Sequence, residues 1–142
     1  MGFYNIRVEH LGTDKNNNPK RKKNNYIVKA LSSMEAHILA ETEFAKVLKD
    51  ADVESVSRMI GVTDYFEQRA DLHDDSKVFR LRLKFEKHSE FALVRANNSE
   101  KAIIEFMEQF NSIVKDFEIP SVSETNFVDI IAAPETANSE TI

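Results

Sequence analysis

Apolar and polar positions alternate in two separate stretches of this chain. Tyr4, Ile6 and Val8 alternate with Asn5, Arg7 and Glu9, the period-two pattern of a strand with one buried face. Phe79, Leu81, Leu83 and Phe85 alternate in the same way with Arg80, Arg82 and Lys84. A second strand is predicted after each, over residues 25–30 and 91–96. A helix then follows each pair. Ser32 is placed to cap the first, with Glu35 three residues on completing a capping box. Asn98 takes the same place in the second, with Glu100 in the first turn, where the helix dipole favours an acid. Ala36, Ala40, Phe44 and Val47 form an apolar stripe matched by Ala102, Phe106, Phe110 and Ile113, so each helix is expected to lie on a sheet through one face. Third strands are predicted over residues 53–60 and from 119 to about 127. Apolar groups then close each copy: Val62, Tyr65 and Phe66, and Val128, Ile130 and Ile131.

The resemblance between the halves extends to residue identity. Shifted by sixty-six positions, residues 26–65 fall on 92–131 without a gap, and about 12 of the roughly 40 pairs are identical. Val28 falls on Val94, Ala36 on Ala102, Phe44 on Phe110, and Ser55-Val56-Ser57 on Ser121-Val122-Ser123. The expectation is an α+β fold of two tandem strand–strand–helix–strand repeats forming one pseudo-twofold domain, an antiparallel sheet of about six strands with two helices. Residues 1–66 make the first repeat, 67–76 a charged linker, 77–131 the second repeat and 132–142 a flexible tail. The first repeat differs by an insertion over residues 12–24, rich in Gly, Pro and Asn, which reads as a mobile loop carrying Lys20, Arg21, Lys22 and Lys23.

Composition limits the function classes. At 142 residues with 42% apolar content and ten Phe, the chain can bury a core. Repeats of about 60 residues are marginal alone, so a core shared between them is expected. The absence of cysteine excludes disulfides and thiolate chemistry and fits a reducing compartment. No apolar run approaches a signal core or a membrane span, so the expectation is a cytoplasmic protein with no membrane partner.

The net charge of −5 is unevenly placed. Acids concentrate on the helices, while Arg7, Arg80, Arg82 and Lys84 share the polar face of the first strands. Lys29 and Arg95 take matching places on the second strands, and Arg58 lies in a third. Together with Lys20, Arg21, Lys22 and Lys23, they are candidates for holding the phosphates of a single-stranded nucleic acid. Base stacking also needs aromatic platforms, for which Tyr4 and Tyr26 are the candidates, since Phe79 and Phe85 point away. The same cations would also simply solubilise an exposed sheet face, paired with Glu9, Glu54 and Glu124.

Other chemistry has less to stand on. The four histidines, His10, His37, His73 and His88, are scattered, and only His73-Asp74-Asp75 gathers potential ligands, so no metal or cofactor is expected. The chain has three glycines and no phosphate-cradling loop, and no base is placed to activate the repeated serines. A catalytic role is not expected.

The segments Phe3-Tyr4-Asn5-Ile6-Arg7-Val8, Tyr26-Ile27-Val28-Lys29-Ala30-Leu31 and Ser32-Ser33-Met34-Glu35-Ala36 resemble the opening elements of a tandem-repeat family of Bacteroidetes and their phages, classed as a domain of unknown function. Glu118-Ile119-Pro120-Ser121-Val122-Ser123-Glu124-Thr125 and Asp129-Ile130-Ile131 resemble its second half. Members often open with Trp, which this chain lacks. The resemblance implies a small phage-type accessory protein acting in a bacterial host cell, with no catalytic residues to carry over. It leaves two partner classes, single-stranded nucleic acid or a host protein, and the oligomeric state open.

Overall fold

The computed structural model describes residues 2–110 and 116–132. In chain order the elements are β1 (Gly2–Thr13), β2 (Pro19–Ala30), α1 (Ser33–Val47), β3 (Asp52–Met59), β4 (Val62–Glu67), β5 (Lys77–Lys84), β6 (Ser89–Ala96), α2 (Ser99–Gln109), β7 (Glu118–Glu124) and β8 (Phe127–Ala132). The fold is α+β, with the strands in two four-stranded sheets, β3-β1-β2-β8 and β4-β6-β5-β7. The chain divides into two compact units, Met1–Met59 with Phe127–Ile142, and Ile60–Asn126. Eight strands replace the expected six because the closing apolar groups are strands in their own right. The predicted third strand of the second copy is β7, which ends at Glu124, a few residues before the expected end.

Those two closing strands are exchanged. β4 follows the first three strands in sequence yet pairs parallel with β6, with Phe66 opposite Val94. β8 returns to pair parallel with β2, with Ile131 opposite Val28. Only Ile60 and Gly61 separate β3 from β4, and Gly61 has a left-handed φ of 80° that an L side chain rarely adopts. Phe66 meets Phe106 and Phe110 edge-on, with ring centroids 5.5 and 6.4 Å apart. Its place in the second sheet is therefore one of aromatic packing, which local alternation cannot reveal.

Each unit has a core cluster between its helix and its sheet. In the first, Tyr4, Ile6 and Val8 of β1 and Tyr26, Val28 and Ala30 of β2 pack on Ala36, Ala40 and Phe44 of α1. In the second, Phe79, Leu81 and Leu83 of β5 and Ala92, Val94 and Ala96 of β6 pack with Ala102 and Phe106 of α2. The helix caps form as the sequence predicts: Ser32 Oγ accepts from the Glu35 backbone N–H at 3.1 Å, and Asn98 Oδ1 from that of Lys101 at 2.8 Å. Val47, expected on the apolar stripe, ends α1 exposed, and Leu39 packs against the core instead. Ile113 and the tail from residue 133 lie outside the described residues.

The expected basic loop is not a loop. β1 and β2 stay paired out to Thr13 opposite Pro19, which leaves only residues 14–18 as the turn. Asp14 Oδ1 accepts from the backbone N–H groups of Asn16 and Asn18 at 2.8 and 2.9 Å, and Asn17 takes a φ of 62°. A polar turn of this kind lets a hairpin run on without apolar residues, which hides the strand from a hydrophobicity reading.

Candidate nucleic-acid interface

The strand registers assign each candidate cation to a face. In the second sheet the helix side takes Phe79, Leu81 and Leu83, so Arg80, Arg82 and Lys84 fall on the opposite side, and all three are exposed. Across the ladders, Arg80 stands opposite Leu93 of β6 and Ser123 of β7, and Arg82 opposite Phe91 and Ser121. The Arg80 guanidinium carbon lies over the Phe91 ring, 4.1 Å from its centroid. Among the described residues neither Arg80 nor Arg82 has an acidic side chain within ion-pairing distance. Lys84 is a weaker member: it stands opposite Glu118 and borders a cleft of about 570 Å³ lined also by Glu86 and Asp116. Val78 and Leu93 on the same face are fully buried, so its open part is the end carrying Arg80, Arg82 and Phe91.

The first sheet disposes of its cations differently. Arg7 is exposed on the side away from α1, and its Nε donates a long 3.5 Å hydrogen bond to Asn25 Oδ1. Lys29 is half-buried on that side, its ammonium 5.6 Å from the centre of the Phe3 ring. The basic run is split by the strand: Arg21 and Lys23 share the side of Arg7, while Lys20 and Lys22 fall on the other. Arg21 donates to Glu9 at 3.1 Å and Asp52 at 3.3 Å, and Lys23 to Glu54 at 2.9 Å. Two of the four loop cations are therefore already neutralised, as the solubilising alternative expects for Glu9 and Glu54.

The aromatic platforms named from sequence are not available. Tyr4 and Tyr26 are 4% and 6% exposed, on the helix side, with the Tyr26 ring tilted against that of Phe44, centroids 4.2 Å apart. The aromatic that does reach the basic face is Phe91, which sequence reasoning missed. The signal was present: with Ala92, Val94 and Ala96 inward, Phe91 must point outward with Leu93 and Arg95. Arg95 itself is half-buried, donating from Nε to Tyr65 Oη at 3.3 Å and from Nη1 to Ser76 Oγ at 3.4 Å.

The profile of a protein family described as a domain of unknown function, DUF4494, matches residues 2–133. The chain belongs to that family. A comparison with curated proteins found no match.

Several other polar groups of this DUF4494 chain have structural partners. Glu105 on α2 is buried and accepts from Gln109 Nε2 at 2.7 Å and from the Arg69 backbone N–H and Nε at 3.2 and 3.3 Å. The Gln109 hydrogen bond, with the Arg69 backbone and guanidinium behind it, holds the Glu105 carboxyl below its usual range against the opposing effect of burial. This arrangement straps the segment between β4 and β5 onto α2, where Gln109 also donates to the Glu67 carbonyl at 2.8 Å and Asn97 to that of Asp71 at 2.8 Å. His37 meets Glu41 at 2.7 Å, and His88 meets Glu90 at 2.9 Å and stacks on Phe85. Among the described residues no three His, Cys, Asp or Glu side chains are placed to hold a metal ion. No helix among them is long and apolar enough to cross a membrane.

Proposed function

We propose that this DUF4494 chain is a non-enzymatic binding module that engages single-stranded nucleic acid through the exposed end of its second sheet that carries Arg80, Arg82 and Phe91. The observation that carries the reading is the pair Arg80 and Arg82, exposed, free of acidic partners among the described residues and flanking an aromatic ring on one strand face. Cations two residues apart on a strand project to the same side about 6.7 Å apart, a spacing that can follow a phosphate backbone. Lys84 extends the positive field on the same sheet, where Arg95 contributes less because it is half-buried. Arg7, Lys20, Arg21, Lys22, Lys23 and Lys29 belong to the first sheet, where Arg21 and Lys23 are paired with acids. A phage-type accessory role in the cytoplasm of a bacterial host accords with this reading and with the family resemblance.

The test is a fluorescence-anisotropy titration of labelled single-stranded DNA and RNA at low and physiological salt. Binding is expected to weaken with salt, and replacing Arg80 and Arg82 together by Ala is expected to lower the salt slope by about 0.7 for each phosphate no longer neutralised. An unchanged slope in the double variant would place the interface elsewhere.

A second reading has its own observation. Leu31, Met34 and Ile38 lie along one exposed stretch of α1 and its approach, 64, 73 and 55% exposed. Such a stripe suits docking of an apolar surface on a host protein. Binding of that kind would tolerate salt and would weaken on replacing Met34 and Ile38 by Ser.

A further inference from the structure

Resting on the nucleic-acid reading, the geometry points to a more specific ligand: we propose that the Arg80–Phe91 pair is a stacking platform for an unpaired base, so the site selects bases and not polyanions in general. A surface built only to neutralise phosphate needs cations and no ring. Here two arginines bracket one ring, Arg82 directly across the ladder from Phe91 and Arg80 on the diagonal with its guanidinium carbon 4.1 Å from the ring centre. A guanidinium held over an aromatic ring leaves its outer plane as a flat cationic surface, which accepts the π-face of a base. Arg80 is exposed and Phe91 half-buried, so the outer layer of the stack faces solvent.

The ring is held in place. The Phe91 backbone N–H donates to the Gly61 carbonyl at 2.9 Å, and Phe91 Cε1 lies 3.6 Å from the point a Cβ at Gly61 would occupy. Val62 is the direct ladder partner of Phe91, and Ile60 beside the turn is 82% exposed, so apolar surface adjoins the cations. Ser121 and Ser123 stand opposite Arg82 and Arg80 on the other flank, where hydroxyls can accept or donate to a sugar–phosphate backbone. Apolar surface on one side and hydroxyls on the other match a nucleotide, with its base and phosphate, better than a uniform polyanion.

The experiment titrates the full chain with three labelled probes of equal length: oligo(dT), a base-less deoxyribose-phosphate oligomer and a duplex. Oligo(dT) is expected to bind about tenfold tighter than the base-less probe. Phe91→Leu is expected to bring oligo(dT) down to the base-less level while leaving base-less binding unchanged. Arg80→Lys, which keeps the charge and loses the plane, is expected to act in the same selective way, and it carries the test should Phe91→Leu fail to fold. Equal affinity for the two single-stranded probes, or selective loss in neither variant, overturns the stacking platform while leaving nucleic-acid binding standing. No binding of any probe at low salt overturns both.

Discussion

The two sheets share a strand order and differ at most of the charged positions on the face away from the helix, although Arg7 matches Arg82. Where the second sheet has Arg80, Arg82, Lys84 and Phe91, the corresponding ladder positions of the first hold Asn5, Arg7, Glu9 and Asn25. Asn5 Oδ1 is buried without a hydrogen-bond partner among the described residues, and Glu9 takes up Arg21. The helix-side cores are alike in kind, small residues and aromatics from the helix meeting alternating apolar strands. The scaffold thus constrains what packs against the helix and also buries Phe3, Ile27, Val78 and Leu93 on the far faces, while the exposed positions of those faces differ between the sheets. Charge on the far side means little until its partners are known, since Arg21 and Lys23 are as basic in sequence as Arg80 and Arg82 but are neutralised in the fold.

The exchange of closing strands offers the most severe way to break this comparison. Ending the chain at Asn126 removes β8 and so takes an edge strand from the first sheet, although every residue removed lies after the second unit in sequence. Hydrogen exchange should then show loss of protection across Asn25, Ile27, Val28 and Lys29, with β5 and β6 keeping theirs. Uniform loss in both sheets would mean that the units do not unfold separately.

Core truncation should be the next largest effect. Phe106 is fully buried and meets the rings of Phe66, Phe110 and Phe117, whereas Phe44 has Tyr26 as its ring partner. Phe106→Ala is expected to cost about 3–5 kcal/mol and Phe44→Ala to fall at the lower end of that range, as read by denaturant unfolding. The reverse ranking would show that the first core collapses less readily around a cavity.

A smaller contrast comes from one helix position. Leu39 packs against the first core, and its counterpart sixty-six residues on is the buried Glu105. The folded state holds the Glu105 pKa below the reference value of 4.5. Its contribution is therefore complete above about pH 4.5 and disappears as pH falls through the lower folded value. Glu105→Gln should cost about 1–2 kcal/mol at pH 7 and less in acid, which urea midpoints measured across pH 3 to 7 would show. A cost that does not change with pH would assign the role of Glu105 to shape and hydrogen bonding instead of charge.

The least effect is expected from the ion pairs of the first sheet. Arg21→Ala should change stability by no more than about 1 kcal/mol, because Arg21 and Asp52 are well exposed. Replacing Glu9, Asp52 and Glu54 by their amides would sharpen the comparison further. It frees Arg21 and Lys23, and single-stranded DNA binding at low salt should tighten, since the added field is long-ranged there. No change would mean that the first sheet is too far from the bound strand to be felt.

Much of this protein was determined by its sequence alone. Alternation in Tyr4-Ile6-Val8 and Phe79-Leu81-Leu83 set both the strands and the side each residue faces, because the period of a strand is two. The N-caps at Ser32 and Asn98 were legible because capping depends on residues within four positions of one another. What only the tertiary structure decided were matters of long-range pairing. β4 and β8 looked like the ends of their own repeats, yet each completes the other sheet, since a parallel edge strand is chosen by whichever core accepts its apolar face. The hairpin through Lys20 and Lys22 is held by backbone ladder bonds, which no side-chain pattern reports. The availability of Arg80 and Phe91, against the pairing of Arg21 and the burial of Tyr4, was settled by neighbours many residues away, because exposure and charge pairing depend on the assembled chain.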